Sequence, residues 1–216
     1  MKLSICILSH NRPSLFSRAI ESVLTAPRNF DLEILVNNDT KDITEVISDS
    51  VNISYTYLMS EDLSDIYKHL YVSAQGEFIY YLEDDDYINT QMFSYLDFSY
   101  DINYILYTSK PHISEGGISM ALERQHMNNH LIHEHNYNKF ISAYDCTYFQ
   151  LGQICFRKEI VEKFPAGNDI SNDYNLFQQF NKKSSIKYIN KQLWIQTTDG
   201  GDNISFDDLN VDRRFT

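Results

Sequence analysis

The run Phe78-Ile79-Tyr80-Tyr81-Leu82-Glu83-Asp84-Asp85-Asp86-Tyr87 decides how the rest of the chain is read. Five apolar and aromatic residues end abruptly in four consecutive carboxylates. The apolar part is too short for a membrane span and rich in strand formers, so it predicts a buried β-strand. Adjacent carboxylates repel one another, and a strand that aims them at one place calls for a compensating cation. Hard divalent ions such as Mg²⁺, Mn²⁺ or Ca²⁺ take oxygen ligands and suit that role. An acidic run in a solvated loop needs no ion at all. The neighbouring segments decide between the two readings.

Upstream, Leu3 to Leu8 reads as a first buried strand, followed by the turn Ser9-His10-Asn11-Arg12-Pro13. From Ser14, the residues Leu15, Phe16, Ala19, Ile20, Val23 and Leu24 recur at helical spacing. Pro13 suits the first helical position and Pro27 marks the end. Leu32 to Val36 predicts a second strand, running into Asn37-Asn38-Asp39-Thr40-Lys41-Asp42. A short helix over 42–48 and a third strand over 53–58 are expected next. Leu63, Ile66, Leu70 and Ala74 then fall in helical register, with Gly76 as a C-cap signal. The order β-α-β-α-β-α-β predicts an α/β fold with a mainly parallel sheet and helices on both faces. Ligands of such sheets sit beyond the carboxyl ends of the strands. The polar ends 9–12, 37–42 and 83–86 should therefore converge on one cleft.

The second half is less regular. A short helix over 90–95 and strands over 104–107, 152–156, 186–189 and 193–196 are expected. Helices are expected from Lys158 to Phe164, stopping at Pro165, and over 173–180. His126, His130, His133 and His135 include an i, i+4 pair of the kind that binds zinc on a helix. They lack the rest of such a motif, so acceptor contacts or plain surface histidines are the preferred reading. Trp194 is a core residue or a sugar platform.

Bulk properties narrow the function classes. A chain of 216 residues suits one domain, here with 1–110 and 111–216 as its halves. The formal net charge of −12 disfavours broad attraction to nucleic-acid backbones or anionic lipids. Cys6 and Cys155 lie in apolar runs and no cysteine pair has metal spacing, so buried reduced thiols are expected. No signal-peptide pattern or transmembrane stretch is seen, and a cytoplasmic protein is expected.

Five segments in order resemble family 2 of the GT-A glycosyltransferases. Ser4 to Pro13 resembles the family's first strand and its T-Y-N-R-P-like turn, and Glu33 to Asp39 its second strand with a nucleotide-binding end. Gln75 to Asp86 resembles the A-x-G-E-Y-I-x-x-L-D-D-D-D segment that carries the DxD motif. Gly152 to Glu159 resembles the late G-x-x-x-F-R-R strand, and Asn172-Asp173 with Leu176 and Phe177 the E-D-x-x-L helix of the catalytic base. The resemblance covers residues 3–205. It departs from the pattern at Asn38, where the family has a base-contacting Asp, and at Asn172, where an acid is common.

The resemblance implies a three-layer GT-A (Rossmann-like) sandwich and a metal-dependent, inverting hexosyl- or pentosyltransferase. A nucleoside-diphosphate sugar, a UDP-sugar first, would bind through Ser9, Asn11, Arg12, Asn38, Asp39 and Asp84. Asp85 and Asp86 would hold Mn²⁺ or Mg²⁺, and Asp173 would be the general base. A saccharide is the expected acceptor, with a modified DNA base as the minority option. Lys182, Lys183, Lys187, Lys191, Arg213 and Arg214 could make the basic patch late in the chain that DNA contact would need. The rival readings are a catalytically silent cation- or nucleotide-binding module of the same fold, and a two-carboxylate hydrolase.

Overall fold

The computed structural model describes residues 1–41, 43–60, 63–96, 98, 104–112, 151–161 and 186–197. Its first half follows the expected series with one omission. Strand β1 (Leu3–Ser9) leads into helix α1 (Pro13–Thr25), then β2 (Leu32–Asn38), β3 (Asn52–Thr56), helix α2 (Leu63–Ser73) and β4 (Phe78–Glu83). Pro13 opens α1, as its fixed φ favours. Two-residue alternation along β1 sends Leu3, Ile5 and Ile7 to one face. There they share a buried cluster with Phe16, Ala19, Ile20 and Val23 of α1 and with Phe78, Tyr80 and Leu82 of β4. Helix α2 packs against β1 and β2, and the Tyr81 hydroxyl of β4 donates to its Tyr67 carbonyl (2.9 Å).

The expected helix over 42–48 does not form; residues 43–47 have no regular structure. Ile43, Thr44, Val46 and Ile47 are β-branched and poor helix formers. The backbone of Val46 is satisfied by a side chain instead. Its N–H donates to the Tyr55 hydroxyl (2.6 Å), which in turn donates to the Val46 carbonyl (3.2 Å). The second crossover is therefore a packed loop, and β3 still pairs parallel to β2.

The remaining elements are β5 (Tyr87–Ile88), α3 (Met92–Tyr95), β6 (Tyr104–His112), β7 (Ile154–Arg157) and β8 (Ile186–Thr197). The two late strands expected over 186–196 are one strand, with register shifts where it runs beside Tyr107 and Thr108 of β6. Leu151 to Gln153 forms a 3₁₀ turn ahead of β7. The helix expected from Lys158 is a second 3₁₀ turn ending at Ile160, and Val161 returns to an extended conformation. The Lys158 carbonyl accepts from the Tyr71 hydroxyl (2.7 Å), which ties this turn to α2.

Among the described residues, eight strands form one sheet in the order β3-β2-β1-β4-β7-β6-β8-β5. The pairs β3–β2, β2–β1 and β1–β4 are parallel, as is β6–β8. Strand β7 pairs antiparallel with β4 and β6, and β5 antiparallel with β8. Leu8 of β1 stands level with Asn37 of β2 and Glu83 of β4. Adjacent strands lie about 4.8 Å apart, so this register brings three polar strand ends to one short stretch of sheet edge. Trp194 is buried in the core beside Gly152 and is not a surface sugar platform.

Candidate active site

The acidic run divides by strand geometry. Glu83 is the exposed last residue of β4, whereas Asp84, Asp85 and Asp86 are all buried. A tight turn, closed by the Asp86 N–H on the Glu83 carbonyl (3.1 Å), brings the two ends of the run back together. Glu83, Asp85 and Asp86 consequently offer one carboxylate oxygen each within 4.8 Å of one another. Three hard oxygen donors at that separation fit a divalent cation such as Mg²⁺ or Mn²⁺.

Asp84 points elsewhere. One of its oxygens accepts the His10 backbone N–H (3.0 Å), and the other lies 2.9 Å from Nη2 of Arg12. Burial raises its carboxyl from the ordinary 3.8 to about 6, and the Arg12 charge, the His10 N–H and the Ser9 hydroxyl keep the rise from going further. Asp84 therefore fastens the acidic loop to the turn after β1.

Arg12 is the hub of the site. Its guanidinium spans two carboxylates, with Nη2 on Asp84 and Nη1 3.0 Å from Asp85 Oδ2. Helix α1 supplies a second arginine: Arg18 donates from Nη2 to the Asp85 carbonyl (2.6 Å) and lies over the Tyr87 ring. One turn further along, the Ser22 hydroxyl accepts the Ile88 N–H (3.1 Å). The exposed-looking polar positions of α1 thus clamp residues 85–88. From α2, the Tyr67 hydroxyl reaches Glu83 (3.4 Å).

The ends of β1 and β2 are laced together beside this cluster. Asn38 is fully buried and its amide donates to the Ser9 carbonyl and hydroxyl (3.4 Å each). Both oxygens of Asp39 lie within 2.9 Å of His10 Nδ1. Asn11, at φ 50°, donates its N–H to the Thr40 hydroxyl (3.1 Å). Asn tolerates this left-handed conformation better than most residues.

Ser9, Asn11, Arg12, Asn38, Asp39, Asp84, Asp85 and Asp86 thus stand along one edge of the sheet. Asp173, the histidines 126–135 and the basic residues Lys182, Lys183, Arg213 and Arg214 lie outside the described residues. Glu83 and His10 lay in the polar strand ends read from the sequence without an assigned role, and Arg18 was not singled out. The signal for Glu83 was its place as the first of the four carboxylates; the turn that follows it, not strand alternation, brings it to Asp85 and Asp86. Arg18 carried none, because nothing local shows that the 85–88 loop crosses α1.

A mainly parallel sheet between helices, with an acidic strand end level with two other polar ends, defines the GT-A class of nucleotide-diphospho-sugar transferases. The chain belongs to glycosyl transferase family 2, whose model matches residues 4–163. No curated protein matches the chain. Among solved structures, it is similar to residues 1–349 of S. aureus TarS, at TM-score 0.60 and 14% identity over 91% of this chain and 60% of that one. The same TarS portion in complex with UDP-GlcNAc matches at TM-score 0.60 and 14% identity, over 92% and 59%. The mannosyltransferase PcManGT from Pyrobaculum calidifontis, in complex with GDP-Man and Mn²⁺, matches at TM-score 0.53 and 8% identity, over 90% and 56%. The chain thus spans less than two thirds of these relatives. Among the described residues, no helix is long and apolar enough to cross a membrane.

Proposed function

We propose that this chain transfers a sugar from a nucleoside-diphosphate sugar to an acceptor hydroxyl, with a divalent cation held by Glu83, Asp85 and Asp86. The observation that carries the reading is the convergence of those three carboxylates at the sheet edge formed by β1, β2 and β4. When bound, Mn²⁺ or Mg²⁺ would offset the negative charge that builds on the leaving diphosphate. Arg12 would contact the diphosphate, and the Ser9–Asp39 rim would face the nucleoside. His10 joins that rim through its pairing with Asp39. Asp173 would take the proton of the attacking hydroxyl, giving transfer with inversion.

A UDP-sugar is the first donor to test and a GDP-sugar the second, in keeping with the nucleotides bound by TarS and the mannosyltransferase. The acceptor half is assigned to residues 111–216. A saccharide acceptor accords with the family and with the net charge of −12, which opposes DNA. The test is nucleotide release from a panel of UDP-, GDP- and TDP-sugars with Mn²⁺ or Mg²⁺, with and without oligosaccharide acceptors. Release should require the metal and vanish in Asp85→Ala. Failure of every donor to bind by calorimetry would remove the reading.

A further inference from the structure

We infer that Arg12 is the resident counter-cation of the acidic strand end, and that it competes with a divalent ion for Asp85. The inference rests on the proposed function for the identity of the ligands, and on the geometry for the competition itself. Arg12 Nη1 lies 3.0 Å from Asp85 Oδ2, and Asp85 belongs to the carboxylate trio that fits a cation. Arg12 is only 20% exposed and both carboxylates it touches are buried, so solvent screens this pair poorly. A guanidinium stays charged at any working pH. A divalent ion drawing on Asp85 would therefore meet a fixed positive charge a few ångströms away.

The fork geometry provides a way out. Nη2 rests on Asp84, which lies outside the trio, so the guanidinium can keep one partner while it gives up the other. The Arg12 backbone is held by the first turn of α1, where its carbonyl accepts the Phe16 N–H (3.0 Å). Its long side chain can still swing without moving that turn. A diphosphate is the natural new partner, since phosphate oxygens match the guanidinium fork. Ion and diphosphate thus bind as a coupled pair: the diphosphate draws Arg12 off Asp85, and Asp85 is handed to the ion. Arg18 is the comparison, since it holds the same loop through the Asp85 main-chain carbonyl.

The test measures Mn²⁺ binding to the full chain by electron paramagnetic resonance of the free ion, first without nucleotide and then with UDP or GDP. Arg12→Gln should bind Mn²⁺ alone at least about tenfold more tightly than wild type, by removal of one nearby unit charge. Arg18→Gln should tighten it clearly less. In wild type, nucleotide should strengthen Mn²⁺ binding, and that coupling should shrink in Arg12→Gln. If Arg12→Gln does not fold in EDTA, Arg12→Lys keeps a charge but cannot span both carboxylates, and should tighten Mn²⁺ binding by about threefold. Unchanged or weaker Mn²⁺ binding in the Arg12 variants overturns the inference, as does equal tightening in Arg18→Gln. The arm without nucleotide separates the two proposals. Wild type that binds neither UDP nor GDP would overturn the proposed function, while the Mn²⁺ comparison still decides whether Arg12 competes for Asp85.

Discussion

Replacing Gly76 by alanine should damage the sheet at the end opposite the site. A Cβ there would lie 2.5 Å from the Ser4 nitrogen, 2.6 Å from its hydroxyl and 2.8 Å from the Leu3 carbonyl carbon. Two of these atoms are backbone of β1, which is bonded on both sides by β2 and β4. Restoring ordinary contact means a displacement of about 0.9 Å. That displacement strains the Phe78 N–H to Lys2 carbonyl bond (3.0 Å). It also disturbs a buried chain in which the Gly76 N–H donates to Ser4 Oγ (2.7 Å), Ser4 Oγ donates to Glu33 (2.5 Å) and the Gln75 N–H donates to the same Glu33 oxygen (2.6 Å). Overpacking costs about 1–3 kcal/mol, and each weakened buried hydrogen bond about 1 kcal/mol. A loss of about 3 kcal/mol should lower Tm by about 6–12 °C for a chain of this size. Adding Ser4→Ala removes the hydroxyl contact but not the nitrogen, so the double variant should stay destabilised. A thermal melt of Gly76→Ala within about 2 °C of wild type would refute the close-approach argument.

Asp85→Ala should cut metal-dependent nucleotide release by about a thousandfold, the scale of losing an electrostatic contact to a charged transition state, as measured by coupled nucleotide detection. Asp173→Asn should lower kcat by about a hundredfold or more while leaving the calorimetric affinity for nucleotide with Mn²⁺ unchanged; a loss of affinity instead would place Asp173 among the binding groups. Burial raises the acid groups of Cys6, Cys155 and Tyr81 above their ordinary values of 9.0, 9.0 and 10.0. Folding therefore favours their neutral forms, a contribution intact below pH 9 and lost as rising pH ionises the same groups in the unfolded chain. The urea midpoint should fall between pH 8 and pH 10.5, and Cys6→Ala with Cys155→Ala should flatten that fall. Both thiols should also resist iodoacetamide at pH 8 until urea unfolds the chain.

What could be read in the sequence, and what could not, follows from the range of each interaction. The strands β1, β2 and β4 are buried on both faces and appear as apolar runs interrupted only by Ser4 and Glu33, so their polar ends stand out and their convergence follows from the crossover rule. The expected helix over 42–48 had the right spacing of apolar residues. Its failure depended on Tyr55, nine residues downstream, offering Val46 both a donor and an acceptor. Gly76 was legible as a glycine with a purpose, but as a helix cap, because the β1 backbone that excludes a side chain there is 72 residues away. The four carboxylates show the same division most sharply. Their number is visible in the chain, yet identical residues at 84 and 85 have different tasks. Asp84 turns inward to hold the β1 turn, and Asp85 turns to Glu83 and Asp86. The turn after β4 separates 84 from the other three, and the turn after β1 supplies the partners that hold it. The arginine that reconciles them comes from that same turn. An acidic strand end of this kind is thus a composite of β4 and the first residues after β1, and neither segment alone specifies whether it greets a cation or already holds one.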